Sequence, residues 1–245
     1  MALKQCTGDY ILFLDADDLI ESNKLASAKR IIDRTGCDMV FTDFHYFSKD
    51  PSKIHKAVSF SGVINAGMVP SGMISAKLVN GNIFAISCIV TKKSVLEKAD
   101  YFDEKINYNE DWDLWLRISL NNATYYYDNN RNVETLIRDH GSSHSKDSII
   151  MYLSGLYVCK KNLSLLKGKE AEIFRVKIAS HRYTLKRLLL DQCKKRESAH
   201  ALLERLDNEP LAEGELKIAR KILKTSVSLY SFYLFLAKIK HVITK

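Results

Sequence analysis

Every position from Tyr10 to Leu14 (YILFL) is apolar or aromatic, and the run stops abruptly at Asp15, Ala16, Asp17 and Asp18. Such a run predicts a short strand covered on both faces, entered from a turn at Gly8 and Asp9. Ser22 to Thr35 predict a helix, with Leu25, Ala28, Ile31 and Ile32 on one face, Ser22 as cap and Gly36 as stop. Asp38 to Phe44 (DMVFTDF) predict the next strand, and a strand, helix, strand order predicts a right-handed, parallel arrangement. A central strand needs a neighbour on each side, yet only nine residues precede Tyr10. Either a later strand fills that edge or the chain lacks its natural beginning.

The pattern weakens from His45 to Asn65, where Lys49 to Ser52 mark a loop and Val58 to Ile64 suit a short edge strand. Ser71 to Val79 predict a helix stopped by Asn80 and Gly81, Ile83 to Val90 a buried strand, and Lys92 to Lys98 a short helix. In Asn109 to Leu120 (NEDWDLWLRISL), Asn109 is the expected cap and Glu110 and Asp111 suit the dipole of the first turn. Trp112, Trp115, Leu116 and Ser119 follow at helical spacing. Ala123 to Asp128 and Val133 to Arg138 predict strands around an Asn-rich turn, leading into a polar loop with His140 and His144. Beyond Lys146 the spacing is helical only: Ile149 to Leu166, Glu170 to Leu190 and Glu197 to Leu206, with Glu209 and Pro210 breaking the series. The fold class is therefore α/β, a mixed sheet within residues 1–146 followed by an all-helical region at 147–245.

Composition adds little to the fold and something to the partners. Five scattered cysteines without a C-x-x-C pair indicate neither a disulfide framework nor a zinc site, and they fit a reducing compartment. No apolar stretch reaches the roughly 20 residues of a spanning helix. The net charge of +8 is concentrated after Lys160, which favours anionic partners. Nucleic acid is not the expected one, because a Gly-rich phosphate loop, zinc-finger spacing and an aromatic RNA-binding signature are all missing from the sequence. The expected location is cytoplasmic. The basic tail from Leu211, with Val227 to Ala237 set between lysines, suits either a peripheral contact with the inner face of a membrane or packing on neighbouring helices.

Two acidic stretches carry candidate chemistry. In an extended chain Asp15 and Asp17 project to one side and Asp18 to the other. Carboxylates held that close repel unless a cation lies between them, and Mg²⁺ or Mn²⁺ prefers such oxygen ligands. The competing reading is an Asp that closes a turn or caps a helix, although Ser22 is the better cap. Glu110 and Asp111 read either as the start of an amphipathic helix or as a carboxylate pair beside a crevice. His140 is a solvent-facing loop residue unless the acidic site lies next to it, where it becomes a candidate ligand.

The order YILFLDADD, NEDWDLWLR, IRDHGSSHS resembles the family 2 glycosyltransferases of the GT-A fold over Ala2 to about Lys146. The resemblance implies a Rossmann-like mixed sheet, with the portion that binds the nucleotide base lying before the matched segment, so that residues 1–146 would be an N-terminally truncated catalytic domain. It implies that Asp15 and Asp17 hold Mn²⁺ or Mg²⁺ on a nucleoside-diphosphate sugar, with Asp15 also touching the nucleotide. It further implies that Asp111 is the catalytic base, that Glu110 positions the acceptor, and that Arg138 and His140 approach the phosphates and metal; the tryptophans read as core more readily than as substrate platforms, with Trp112 the candidate substrate contact. The reaction implied is inverting transfer from a UDP-sugar to a glycan or lipid-linked acceptor, in polysaccharide or cell-surface glycan synthesis. Two rivals remain. One is a truncated, non-catalytic binding or membrane-associated module; the other is a haloacid-dehalogenase-like phosphatase with Asp15 as nucleophile.

Overall fold

The structure is a computed structural model that describes residues 2–106, 108–139, 148–193, 221 and 224–225. The chain divides into two compact units, Met1–Asp103 with Glu110–Ser143, and Glu104–Asn109 with His144–Lys245.

The first unit opens with a short helix α1 (Ala2–Gln5) and strand β1 (Tyr10–Leu12), followed by β2 (Leu19–Ile20) and helix α2 (Lys24–Thr35). Strands β3 (Met39–Thr42), β4 (Phe44–Phe47), β5 (Ile54–Val58) and β6 (Gly67–Val69) come next, then α3 (Ser71–Leu78), β7 (Ile89–Lys92) and α4 (Lys93–Lys98). Helix α5 (Glu110–Leu120) and strands β8 (Tyr125–Asp128) and β9 (Thr135–Arg138) complete it.

These strands form a five-stranded sheet in the order β1, β7, β3, β8, β6 and a four-stranded sheet in the order β2, β9, β4, β5. Only β3 with β8 and β4 with β9 run parallel; all other neighbours are antiparallel. The sequence places β1 in mid-sheet with a partner on each side. Instead β7 alone pairs with it among the described residues, inserted between β1 and β3 and antiparallel to both, which leaves β1 and β3 parallel to each other. The predicted strand at Val58 to Ile64 lies earlier, as the exposed β5. The strands expected around the Asn-rich turn separate into different sheets rather than pairing.

The chain passes from one sheet to the other at Asp43, whose buried carboxylate accepts hydrogen bonds from the Tyr127 hydroxyl (2.6 Å), the Ser59 hydroxyl (2.6 Å) and the Phe60 amide (2.9 Å). Phe41 stacks on Tyr127 and meets Phe60 and Phe84 edge-on, which fills the core around that crossing.

Helix α2 begins two residues later than its pattern suggests. Asn23 precedes it without a side-chain cap bond, so the expected Ser22 cap is not used, whereas Gly36 (φ 70°) supplies the left-handed stop. Ala28, Ile31 and Ile32 are buried as expected, but Leu25 is half exposed and Lys24 is buried in its place. The Lys24 ammonium donates to the Thr42 hydroxyl (2.7 Å) and to the carbonyls of Cys88 and Val133 (both 3.3 Å), joining helix to both sheets' entry points. Burial pushes its pKa down to about 8, with Cys88, Asp128 and Glu134 nearby acting in the opposite sense.

The second unit contains α6 (Ser148–Asn162) and α7 (Gly168–Cys193), which pack on each other; Leu153, Leu156, Cys159, Phe174 and Leu185 are buried. No strand occurs after residue 147 among the described residues. The expected helix at Glu197 to Leu206 and the basic tail from Leu211 lie outside the described residues, apart from Lys221, Lys224 and Thr225.

Candidate active site

The acidic loop follows directly from the end of β1. The Asp18 amide donates to the Asp15 carbonyl (3.1 Å), so the chain turns rather than staying extended. The three carboxylates then diverge in environment. Asp15 is exposed and its carboxylate makes no hydrogen bond among the described residues, Asp17 is partly buried, and Asp18 is buried. Asp18 accepts from the Ser87 hydroxyl and the Arg138 amide, both at 3.0 Å. Burial raises its pKa first, the two donors oppose this, and the charges on Asp15 and Asp17 add to the rise. Asp18 is thus the structural member of the trio, leaving Asp15 as the carboxylate presented to solvent.

Arg138, expected to approach phosphates, is turned onto the protein. Its guanidinium donates to the carbonyls of Asp17 (3.3 Å) and Ser48 (3.1 Å) and lies 4.6 Å from the centre of the Phe47 ring. With its amide on Asp18, Arg138 clamps the acidic loop from both backbone and side chain. Two of its five guanidinium N–H donors are engaged with carbonyls, and holding the loop is one role the geometry gives it.

Helix α5 presents Glu110 and Asp111 in its first turn. Asn109 does not cap it in the expected way: its φ is +58° and its side-chain amide donates to the Met151 carbonyl (3.2 Å). The Asp111 carboxylate instead accepts from the Trp112 amide (2.7 Å) through one oxygen and from the Asn82 side-chain amide (2.7 Å) through the other. Burial pushes the Asp111 pKa up to about 6 against these two bonds, and Asp15 raises it further. Glu110 is pushed up to about 7 by burial, then by the charge of Asp111, then by that of Asp15. Both groups therefore sense the same distant carboxylate, which places the two acidic motifs in one electrostatic neighbourhood although they lie nearly a hundred positions apart.

Packing explains that convergence. Phe13, just past β1, lies edge-on to Phe102 (5.1 Å) and tilted against Trp115 of α5 (6.3 Å). Below the first turn, the fully buried Asp113 carboxylate accepts from Arg117 (2.8 Å), whose guanidinium also donates to the carbonyls of Ala99 and Tyr101. Trp112, a candidate substrate contact beside the reading as core, is a core residue: it is 4 % exposed and its indole N–H donates to the Leu78 carbonyl (2.7 Å), using its single donor. It ties α5 to the end of α3. Asn82 has no counterpart in the sequence reading, because Asn80 and Gly81 beside it register only as a helix stop.

No cluster of three or more His, Cys, Asp or Glu side chains that could hold a metal is formed among the described residues. His140 lies outside them. The donors that are present, an exposed Asp15 carboxylate and Asp17 beside it, are nevertheless of the right chemistry for a hard divalent ion that takes its other ligands from phosphate and water.

Residues 1–99 match the family Glycosyl transferase family 2. A relative from Rickettsia bellii (strain RML369-C), described as an uncharacterized glycosyltransferase, is 27% identical over 122 residues, which is 50% of this chain and 16% of that protein. The chain thus spans about a sixth of its length. Among solved structures, S. aureus TarS 1-349 in complex with UDP-GlcNAc superposes with a TM-score of 0.54 at 17% identity, covering 92% of this chain and 67% of that one. A second S. aureus TarS structure gives a TM-score of 0.53 at 16% identity and covers 40% of that chain. These likenesses show the GT-A fold.

Proposed function

We propose, from the match of residues 1–99 to glycosyl transferase family 2 and the likeness to a Rickettsia bellii glycosyltransferase, that this chain belongs to that family and moves a sugar from a nucleoside-diphosphate sugar to a hydroxyl acceptor. The observation that carries the reading is that Phe13, between β1 and the acidic loop, packs on Trp115 of α5, so that the charge of Asp15 reaches Glu110 and Asp111. One carboxylate faces solvent, and two are held half-buried with raised pKa values.

In the proposed reaction the acceptor oxygen attacks the anomeric carbon while the bond from that carbon to the diphosphate oxygen breaks. The hydroxyl proton passes to Asp111, the nucleoside diphosphate leaves with the bonding electron pair, and a single displacement inverts the anomeric centre. Asp111 suits the task because its lone pairs are aimed by Asn82 and Trp112, and because a pKa near 6 leaves it ionised at neutral pH yet basic enough to receive a proton. Glu110, at about 7, exchanges donor and acceptor roles near neutrality and so can orient the hydroxyl. Asp15 and Asp17 would hold Mg²⁺ or Mn²⁺. That ion, when bound, supplies Lewis-acid neutralisation of the leaving diphosphate. Arg138 keeps the loop that carries both aspartates in place.

The S. aureus TarS structure with UDP-GlcNAc supports UDP as the first nucleotide to try. A polysaccharide or cell-surface glycan is the proposed product class. The test is a calorimetric titration of the 245-residue chain with UDP and Mn²⁺, beside Asp15→Asn and Asp17→Asn. Metal-dependent binding that both variants lose is the expected result. Binding indifferent to metal and to both substitutions would remove the acidic loop from the donor site.

A further inference from the structure

A cleft of about 700 Å³ lies between the β4–β5 hairpin and the α3 segment, wholly within the first unit. Tyr46 with the exposed Val63 and Met73 gives it apolar walls over the buried Phe44 and Phe60, and Lys56 and Lys77 are its charged residues; no acidic side chain lines it. Neither lysine forms an ion pair among the described residues, and the Lys56 ammonium sits 4.8 Å from the centre of the Tyr46 ring, which places a cation at the wall. The remaining member that matters is Asn82. It lines this cleft and donates at 2.7 Å to Asp111, so the cleft adjoins the carboxylate assigned as base.

Each property narrows the occupant. An apolar wall with one accessible aromatic ring, Tyr46, suits the C–H face of a sugar ring, while few polar groups fix its orientation. Cations without a countercharge select an anionic substituent. A donor such as UDP-sugar already has its place at the acidic loop, whose carboxylates repel anions unless a metal intervenes. We infer that this cleft is the acceptor subsite, that it takes a carbohydrate bearing a carboxylate or phosphate group, and that Asn82 is the positioning residue that couples the seated acceptor to Asp111. The inference rests on the transferase reading and adds the acceptor class to it.

The test uses two-dimensional amide NMR of the full chain with three probes: trigalacturonate for the carboxylate, glucose 6-phosphate for the phosphate, and maltotriose as the neutral control. One or both anionic probes are expected to shift the amides of residues 44–46, 56–60 and 73–83 and also that of Trp112, which donates to Asp111. Lys56→Gln with Lys77→Gln should weaken that binding about tenfold, equivalent to about 1.4 kcal/mol. Asn82→Ala should leave the cleft shifts in place and abolish the shift at Trp112. Whichever anion responds identifies the substituent. Binding of neither anion, equal binding of maltotriose, or affinity unchanged in the double lysine variant would overturn the inference. The UDP and Mn²⁺ titration on the same samples keeps the two readings apart. Intact nucleotide binding with a silent cleft sinks this inference alone, and a silent titration with a responsive cleft sinks the donor-site reading.

Discussion

Asp111 carries the sharpest prediction at the scale of single residues. Asn in its place keeps the shape and loses the basic oxygen, so Asp111→Asn should lower transfer by about 10²- to 10⁴-fold while UDP affinity stays within about twofold. Steady-state rates beside a nucleotide titration check this; parallel loss of both would move Asp111 to the donor site. The pH dependence has a defined sign. A base must be ionised, so kcat/KM should fall by about tenfold per unit as pH drops below the Asp111 pKa of about 6. The Asn82 hydrogen bond favours the charged carboxylate, and Asn82→Ala should therefore move that acid limb to higher pH. An unmoved limb would mean that Asn82 does not act through Asp111. Glu110 and Asp111 were legible because acids in a first helical turn form a local pattern. Asn82 was not, since its partner lies 29 positions away and nothing in its own neighbourhood marks it.

At the scale of elements, α2 holds a charge where its periodicity places only apolar contacts. An ordinary lysine titrates near 10.5, and Lys24 in the fold titrates at about 8. Between those values the unfolded chain binds the additional proton, so stability from this group rises with pH across that window; below about 8 its desolvated charge opposes folding. Urea unfolding of the wild type and of Lys24→Met at about pH 8 and about pH 10 should show their difference shifting toward the wild type, by at most about 1.4 kcal/mol per unit. A pH-independent difference would contradict the depressed pKa. The same helix shows how far spacing alone reaches: Ala28, Ile31, Ile32 and Gly36 behave as their positions suggest, while Leu25 and Lys24 exchange roles because a polar pocket formed by Thr42, Cys88 and Val133 awaits the ammonium.

For the whole molecule, the excess of positive charge lies toward the end of the chain. We propose that the tail meets an anionic lipid surface, so removing residues 211–245 should reduce co-sedimentation with phosphatidylserine-containing vesicles, and an unchanged bound fraction would end that idea. No helix among the described residues is long and apolar enough to cross a membrane. The sequence by itself determined the local features: an apolar run that ends in acids, a helix that opens on Glu110 and Asp111, the glycine stop at Gly36, and helices alone over residues 148–193. Each depends on side-chain spacing along a few turns or strand positions, and that spacing is present in the covalent chain. Only the tertiary structure decided that β7 enters between β1 and β3, that Asp18 and Arg138 brace the acidic loop, and that the Trp112 indole ties α5 to the end of α3. It also put Glu110 and Asp111 within reach of the charge of Asp15 and set Asn82 between a cleft and the Asp111 carboxylate. Those outcomes depend on strand register and on packing between segments far apart in the chain, where many partners satisfy the same local pattern and only mutual burial selects one.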